Sequence, residues 1–189
     1  MKSTKERFIF RLLKSIVMKI LLLCISVFLF SCSNTIYIVR HAEKAPVEAG
    51  ASQMMASDPP LSEAGKARAI ALRDKLKGEN IRHIYSTNTK RTIATAKPLN
   101  ELQGNTRIEI YSSKKDSTDA FIERLKAIRK GNVLVVGHSN TIDDLANKLC
   151  GTTVVPGDLD DTAYDNLYII KWKGKSYKFS NEKYGAKSE

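Results

Sequence analysis

The stretch "TIYIVRHAEK", residues 35–44, decides how this chain is interpreted. Its first five residues are apolar or β-branched and predict a short buried strand. That strand runs directly into Arg40 and His41, two polar side chains that are costly to bury without partners. The pattern returns at residues 133–138, "VLVVGH", where a second buried strand ends in Gly137 and His138. The sequence thus predicts two strands that each place a histidine at the carboxyl end.

Predicted strands alternate with predicted helices along the rest of the chain. Further strands are expected at residues 81–86, 107–111, 166–172 and 176–180, and helices at residues 61–76, 89–102, 117–130 and 140–150. Ser62 is the expected N-cap of the first helix, whose buried side is predicted to be Ala64, Ala67 and Ala71. Residues 45–60 are expected to be a loop. The alternation indicates an α/β fold, a three-layer α/β/α sandwich with a mostly parallel central sheet.

The chain begins with a segment typical of secreted proteins. Residues 1–31 carry six basic side chains and one acidic side chain. Within them, residues 20–30, "ILLLCISVFLF", form an apolar run that is too short to span a bilayer and has the length of a signal-peptide core. The run ends in "LFSC", which resembles the cleavage site of bacterial lipoproteins and would leave Cys32 as a lipidated N-terminus. Residues 1–31 are therefore predicted to be a lipoprotein-type signal peptide, and residues 32–189 the mature domain.

This interpretation places the mature protein in the cell envelope, anchored to a membrane by lipid and facing the periplasm or the exterior. Two alternatives stay open, an uncleaved anchor and a secreted protein whose cysteine at this position is incidental. Translation from Met18 would give a more compact signal than translation from Met1, and the choice between the two is left open.

The formal net charge of +11 narrows the classes of partner and cofactor. Residues 1–31 account for +5 and leave +6 on residues 32–189. The lysines are spread along the chain without arginine or aromatic clusters, so no nucleic-acid partner is predicted.

Cys150 is the one cysteine of the mature chain besides Cys32, which argues against an internal disulfide. The histidines His41, His83 and His138 lack metal-ligand spacing, and no metal or other cofactor is expected.

Arg91 adds a third element, because it follows the predicted strand at residues 81–86. Ligands of open α/β sheets bind at the carboxyl ends of the strands. Four side chains are therefore expected to meet there: Arg40, His41, Arg91 and His138. Arginine guanidinium groups match phosphate oxygens, and the backbone amides of Ser139 and Asn140, at the start of a predicted helix, favour an anion. The set predicts a pocket for a phosphoryl group.

Three segments around these residues resemble the signature motifs of the histidine phosphatase superfamily, the phosphoglycerate mutase-like enzymes. They are "VRHAEK" (residues 39–44), "STNTKRTIATA" (residues 86–96) and "VVGHSNT" (residues 135–141). The usual first motif is Arg-His-Gly, often followed by Glu; here Ala42 replaces the glycine and Glu43 keeps the acid. The resemblance covers nearly all of the mature chain and implies a phosphoglycerate mutase-like fold.

The resemblance also implies a mechanism. His41 would be the nucleophile and form a phosphohistidine that water hydrolyses, with a backbone acceptor fixing the tautomer of its ring. Three cationic groups would surround the phosphoryl oxygens and, with Ser139, bind the substrate: Arg40, Arg91 and His138. Many relatives use a carboxylic acid to protonate the leaving oxygen. The candidates here are Glu109, Glu43, Asp116 and Asp119, and the lack of any such acid is a further alternative.

The leading hypothesis is a phosphoric monoester hydrolase of the cell envelope that acts on phosphomonoesters or on phosphohistidine. A phosphomutase and a non-catalytic lipoprotein that binds phosphate or sugar phosphates are the alternatives. The expected partners are a phosphorylated small molecule and, through the lipid, a membrane; the oligomeric state is left open. His83 and Tyr164 are interpreted as structural, and residues 156–165, which hold four aspartates, as a solvated loop beside the site.

Overall fold

The computed structural model describes residues 14, 34–47, 50, 52–105, 107–174 and 176–188. Cys32 and, apart from residue 14, the predicted signal peptide lie outside these residues. The chain divides into two compact units, Met1–Cys32 and Ser33–Glu189, and every element named below belongs to the second unit. Within the described ranges, the structure contains no helix with the length and apolar character that a membrane crossing requires.

The second unit alternates strands and helices in the order that the sequence predicts. The strands are β1 (Thr35–Arg40), β2 (Ile81–Ser86), β3 (Ile108–Ile110), β4 (Asn132–Gly137), β5 (Asn166–Trp172) and β6 (Tyr177–Lys183). The helices are α1 (Gln53–Ser57), α2 (Glu63–Leu76), α3 (Lys90–Leu102), α4 (Thr118–Ala127) and α5 (Ile142–Cys150). A 3₁₀ turn, Lys115–Ser117, leads directly into α4.

The strands form one sheet in the order β3-β2-β4-β1-β5-β6. Neighbouring strands from β3 to β1 are parallel, and β5 and β6 add two antiparallel strands beyond β1. Helical connections between parallel strands cover both faces of such a sheet. On one face lie α4 and α5, which bury Phe121, Leu125, Ile142 and Leu149; on the other lie α2 and α3, which bury Leu72, Leu76, Ala96 and Leu99. The predicted three-layer sandwich with a mostly parallel sheet is confirmed.

The central strands β1 and β4 bring the two polar strand ends together. Their register pairs Arg40 with Gly137, and the backbone N–H of His41 donates to the carbonyl oxygen of Gly137 at 2.9 Å. Gly137 has no room for a side chain, because an added Cβ would lie 2.7 Å from the hydroxyl oxygen of Tyr111 and 2.8 Å from Cγ2 of Ile142. The end of β4, the segment after β3 and the start of α5 therefore pack at one point, next to both histidines.

Helix α2 begins as predicted but buries a different side. The hydroxyl oxygen of Ser62 accepts the N–H of Gly65 at 3.1 Å and caps the helix. The predicted buried side was wrong, because Ala64 and Ala67 are exposed. Leucine removes more apolar surface from water than alanine does, so the leucines decide which side faces the sheet. The buried residues are Gly65, Arg68, Ala69, Leu72 and Leu76.

Two further details differ from the sequence-based expectation. The predicted loop at residues 45–60 contains α1, and a bridge between Lys44 and Leu61 closes its base. Helix α5 begins at Ile142, later than expected, because residues 138–141 form a turn in which the N–H groups of Thr141 and Ile142 donate to the carbonyl oxygen of His138 at 3.1 and 3.2 Å. Ser139 and Asn140 thus lie in this turn and not in the helix.

Candidate active site

A pocket of about 450 Å³ opens at the carboxyl ends of β1 and β4. The structure brings together all five residues that the sequence predicted for catalysis or substrate binding: Arg40, His41, Arg91, His138 and Ser139. The wall also includes Lys44, Ser113, Asn140, Thr141 and Asp161. Among the residues that the structure describes, no group of three or more histidine, cysteine, aspartate or glutamate side chains could hold a metal ion.

His41 is almost fully buried and has one ring nitrogen fixed by the backbone. Nδ1 lies 2.8 Å from the carbonyl oxygen of Ala42, which can only accept, so in the neutral ring Nδ1 carries the proton and Nε2 carries the lone pair. Nε2 has no hydrogen-bond partner among the described residues. The predicted backbone acceptor is confirmed, and Nε2 is the nitrogen whose lone pair is left available.

The surroundings of His41 keep the imidazole neutral. Burial lowers the pKa of His41 to about 3; the hydrogen bond to Ala42 opposes that shift, and the positive charges of Arg91 and Arg40 add to it. An imidazole attacks phosphorus only in its neutral form. The site therefore holds the predicted nucleophile in its reactive state at neutral pH.

His138 faces His41 from the end of the neighbouring strand. The two ring centroids are 5.4 Å apart, with the ring planes at 68°. Nε2 of His138 lies 2.9 Å from the hydroxyl oxygen of Thr87, and the Thr87 hydroxyl donates in turn to the hydroxyl oxygen of Thr92 at 3.0 Å. This chain of contacts fixes the orientation of the second ring. Burial lowers the pKa of His138 to about 4, with further lowering by Arg91 and Arg40, so the structure favours its neutral form.

Arg40 is held from behind by the aspartate-rich loop. One terminal nitrogen, Nη1, donates to the backbone carbonyl oxygens of Asp160 and Asp161 at 2.8 and 3.0 Å, and Nη2 lies 3.4 Å from a carboxylate oxygen of Asp161. The ring of Tyr164 lies against the guanidinium at 4.2 Å, a favourable cation–π geometry. Nε of Arg40 is buried and has no partner among the described residues. The loop thus fixes the arginine while one donor stays free.

Arg91 lies in the first turn of α3 and is positioned by Asp58. Its Nη1 donates to the Asp58 carboxylate at 3.2 Å, and the same carboxylate accepts the backbone N–H of Lys90 at 3.0 and 3.1 Å. A carboxylate is favoured at a helix N-terminus, so Asp58 stabilises the start of α3 as well as Arg91. Nε of Arg91, like that of Arg40, is a buried donor for which the described residues supply no acceptor.

Two side-chain contacts, a hydrogen bond and an ion pair, hold the backbone that follows His41. The hydroxyl oxygen of Thr95 in α3 accepts the N–H of Ala42 at 2.9 Å. The carboxylate of Glu43 receives Nε and Nη2 of Arg68 in α2 at distances from 2.7 to 2.9 Å. Arg68 is 4 % exposed, and its ion pair is therefore screened less than a surface pair would be. The loop that carries the nucleophile is tied to both helices of one layer.

Residues 36–115 match the family model described as histidine phosphatase superfamily (branch 1). The matched segment contains Arg40, His41 and Arg91, and this part of the chain is similar to that family. The family resemblance seen in the sequence is thereby confirmed. No curated protein matches this sequence.

Several solved structures of other proteins share the fold of this chain. The protein histidine phosphatase SixA complexed with tungstate is 18 % identical, with 79 % of this chain and 96 % of that chain covered at a TM-score of 0.59. A mycobacterial glucosyl-3-phosphoglycerate phosphatase is 14 % identical, with 82 % and 100 % covered at a TM-score of 0.59. A phosphoglycerate mutase from Bacillus anthracis is 18 % identical, with 80 % and 93 % covered at a TM-score of 0.54. The expected phosphoglycerate mutase-like fold is confirmed.

The candidate proton donors do not gather at the pocket. Each is held elsewhere: Glu43 by Arg68, Glu109 by Arg124, Asp119 by Lys148, and Asp116 in the 3₁₀ turn, where it accepts the Ser117 hydroxyl at 3.2 Å. The carboxylate that lines the pocket is Asp161, which faces Arg40. Among the alternatives left open by the sequence, the structure favours the one in which none of the four acids protonates the leaving group.

The sequence did not point to the residues that position the side chains of the site. Thr87 lies one residue after β2, and its place at a carboxyl strand end was an available signal. Asp58 stands thirty-two residues before its partner Lys90, so no local pattern could have linked the two. Tyr164 packs as expected, but against the guanidinium of Arg40 within the site. His83 lies outside the pocket, with Nε2 3.1 Å from the Lys130 carbonyl oxygen, in agreement with a structural role.

Proposed function

We propose that this protein is a phosphatase that hydrolyses phosphomonoesters, or phosphohistidine, without a metal ion and through a phosphohistidine intermediate on His41. The observation that carries the proposal is the state of His41: Nδ1 donates to the Ala42 carbonyl, and Nε2 is unpartnered in a pocket lined by two arginines. A neutral, oriented nitrogen beside fixed positive charge suits nucleophilic attack on a phosphoryl group.

In the first step, the Nε2 lone pair of His41 attacks phosphorus. The N–P bond forms while the bond from phosphorus to the leaving oxygen breaks, and that oxygen takes up a proton from solvent or from a donor on the substrate side. The hydrogen bond from Nδ1 to Ala42 would stabilise the positive charge that develops on the ring. Positioning and charge stabilisation are the general sources of catalysis in phosphoryl transfer.

The arginines supply the charge stabilisation. Nε of Arg40 and Nε of Arg91 are buried donors without an acceptor among the described residues, and a buried donor usually has a partner in the protein, in ordered water or in a ligand. Phosphoryl oxygens would provide those acceptors. Their negative charge would also favour a protonated His138, so that the second histidine gains a proton when the dianion binds.

In the second step, water attacks phosphorus and the P–N bond breaks. Inorganic phosphate leaves, the attacking water releases a proton, and His41 returns to its neutral tautomer. Hydrolysis is favoured over transfer to a second hydroxyl because the pocket is open to solvent beside Lys44 and Ser113, both exposed. Phosphatases among the structural neighbours, such as the protein histidine phosphatase SixA, support a hydrolase.

Steady phosphate release from an aryl phosphate by the purified protein, in chelator-treated buffer, tests the proposal. We expect turnover that is lost in His41→Gln and retained in His83→Gln, which removes a histidine outside the pocket. Phosphate binding with no turnover would contradict the proposal and indicate a binding protein. Retention of the phosphoryl group on a second hydroxyl of a sugar phosphate would indicate a mutase.

We also propose that the protein is a lipoprotein of the cell envelope, anchored through Cys32. The support is the basic leader, the apolar run at residues 20–30 and the "LFSC" sequence. Mass spectrometry of the N-terminal peptide from membranes should find a lipidated Cys32, and Cys32→Ser should release the protein from the membrane fraction. An unmodified N-terminus at Ser33 or Asn34 would contradict the anchor without affecting the proposed chemistry.

A further inference from the structure

The edge of the sheet opposite the catalytic pocket receives the chain from the predicted lipid anchor. Asn34, which precedes β1, is 6 % exposed, and its Nδ2 donates to the carbonyl oxygen of Ile128 at 2.9 Å. Only Ser33 separates Cys32 from Asn34, so the covalent chain allows at most about 7 Å between the Cα atoms of Cys32 and Asn34. A lipid on Cys32 would therefore hold this edge of the sheet close to the bilayer.

This edge is strongly basic. It consists of the segments at the start of β2, β3 and β4 and the turn between β5 and β6, residues 77–82, 103–107, 128–132 and 171–177, of which the structure describes all but residues 106 and 175. We call these described residues the basic edge. They hold seven basic side chains and one acidic side chain, and their net charge of +6 equals that of the whole of residues 32–189. The remainder of the predicted mature chain is thus neutral overall.

The charges of the basic edge are available to a partner. Lys77, Lys130 and Lys173 are exposed, and their ammonium groups form no hydrogen bond or ion pair with the described residues. The acidic side chain of this edge, Glu79, accepts the hydroxyl of Tyr37 and is already engaged. A group of unpaired cations on one surface attracts anions by long-range electrostatics.

Two aromatic side chains lie among these cations. Trp172 and Tyr177 face each other in the register of β5 and β6, with their ring centroids 4.9 Å apart, and both are half-buried. Lys171, the residue before Trp172, pairs in register with Thr35 at the start of β1, so the aromatic pair is close to the end of the chain that leads to the anchor. Tryptophan and tyrosine are enriched at the headgroup level of membranes, because their side chains are apolar at one end and polar at the other.

We propose that the basic edge binds the anionic phospholipid headgroups of the membrane that holds the anchor, with Trp172 and Tyr177 at headgroup level. Cations beside a membrane anchor add electrostatic attraction to anionic headgroups, and this attraction orients the protein on the membrane surface. The inference rests on the proposed envelope anchor and is independent of the chemistry proposed for His41.

This orientation directs the catalytic pocket away from the bilayer. His41 follows the carboxyl end of β1, and Asn34 precedes its amino end. The six residues of β1, at about 3.3 Å each, place the pocket roughly 20 Å from the basic edge. The substrate then reaches His41 from the aqueous space, which favours a water-soluble phosphorylated compound over a lipid of the same membrane.

Trp172 tests the proposal directly, because it is the one tryptophan of the chain. The full-length protein, purified from membranes, is reconstituted into vesicles of phosphatidylcholine alone or mixed with phosphatidylglycerol, each containing a lipid with a nitroxide quencher at the headgroup. We expect quenching of the Trp172 fluorescence to be at least about twofold greater in the phosphatidylglycerol vesicles. At about 1 M salt, where the Debye length is about 3 Å, that difference should disappear.

A charge-removing variant and a matched control extend the test. The variant that combines Lys77→Gln, Lys130→Gln and Lys173→Gln should lose the difference in quenching between the two kinds of vesicle. The control removes the same charge from three exposed lysines outside the basic edge and should keep the difference: Lys66→Gln, Lys97→Gln and Lys187→Gln. Thermal unfolding of both variants serves as the check that they are folded.

The outcomes separate this inference from the proposals above. Equal quenching in the two kinds of vesicle, or a difference that the basic-edge variant keeps, would overturn the binding of anionic headgroups. Mass spectrometry of Cys32 in the same sample tests the anchor by itself, and hydrolysis of an aryl phosphate by the same vesicles tests the phosphatase. A failure of the membrane contact is thereby distinguishable from a failure of the anchor or of the chemistry.

Discussion

His41 and His138 occupy equivalent places at the ends of adjacent strands, yet their ring nitrogens are used in opposite ways. In His41 the backbone carbonyl of Ala42 takes Nδ1 and leaves Nε2 free. In His138 the Thr87 hydroxyl contacts Nε2, and no described residue is bonded to Nδ1. Both pKa values are lowered, to about 3 and about 4, by burial and by the same two arginines. Hydrogen-bond partners, more than electrostatic surroundings, therefore distinguish the two rings, to which we have proposed the roles of nucleophile and oxyanion ligand.

Removal of the His41 ring should give the largest effect. His41→Gly is expected to lower kcat by about ten-thousandfold or more, because the proposed mechanism forms the covalent intermediate on this ring. Added imidazole should restore part of the activity of this variant by accepting the phosphoryl group in the vacated space. If His138→Gly were rescued by imidazole and His41→Gly were not, the roles assigned to the two rings would be reversed.

Removal of the His138 ring should have a smaller effect, because it removes one of several groups around the phosphoryl oxygens. His138→Gln is expected to lower kcat by about 10²–10³-fold, the usual cost of one such donor. A covalent phosphoryl-enzyme should still form. Rapid-quench kinetics would check this, and a variant that keeps more than half of the kcat would exclude His138 from the transition state.

The contact that orients His138 should matter less again. Thr87→Val removes the hydroxyl beside Nε2 and leaves the ring in place, so a loss of about tenfold in kcat is expected, in line with one lost hydrogen bond. Thr89→Val is the comparison variant, because the Thr89 hydroxyl caps α3 and contacts the Thr92 hydroxyl but does not contact His138. Equal losses in the two variants would mean that the helix, and not the histidine, is affected.

The smallest expected effect concerns the protonation states of the His41 and His138 rings, which NMR can compare directly. NMR of the imidazole nitrogens should find both rings neutral at pH 7, with His41 carrying its proton on Nδ1. Below about pH 6.5 both histidines become protonated in the unfolded chain but stay neutral in the folded protein. The free energy of unfolding should therefore fall as the pH drops toward about 4. Replacing both rings with glutamine should flatten that slope. Tungstate, a phosphate-like dianion, should protonate His138 and leave His41 neutral; protonation of His41 would contradict its role.

Much of the fold follows from local patterns in the sequence. The apolar runs of β1 and β4 fix the central strands, and the spacing of Ile142, Leu145, Ala146 and Leu149 correctly predicts the buried side of α5. The side of α2 was wrongly predicted because alanines recur at helical spacing on its exposed surface while Leu72 and Leu76 carry most of the apolar area.

The candidate site was predictable only in its outline. Arg40, His41 and His138 sit at strand ends, and strand ends are readable from the sequence. Residues that orient them act across long separations, as the Asp58 carboxylate does on Arg91. Such partners depend on how loops return to the sheet, and no local pattern encodes that.

The central claim is that His41 carries the phosphoryl group during turnover. Rapid mixing of the purified protein with a radiolabelled phosphomonoester, quenching in alkali, and peptide mapping tests it most directly, because phosphohistidine survives base. We predict label on the peptide that contains His41, absent in His41→Gln and unaffected in His83→Gln. Turnover without a labelled protein, or label on the peptide that contains His138, would contradict the account.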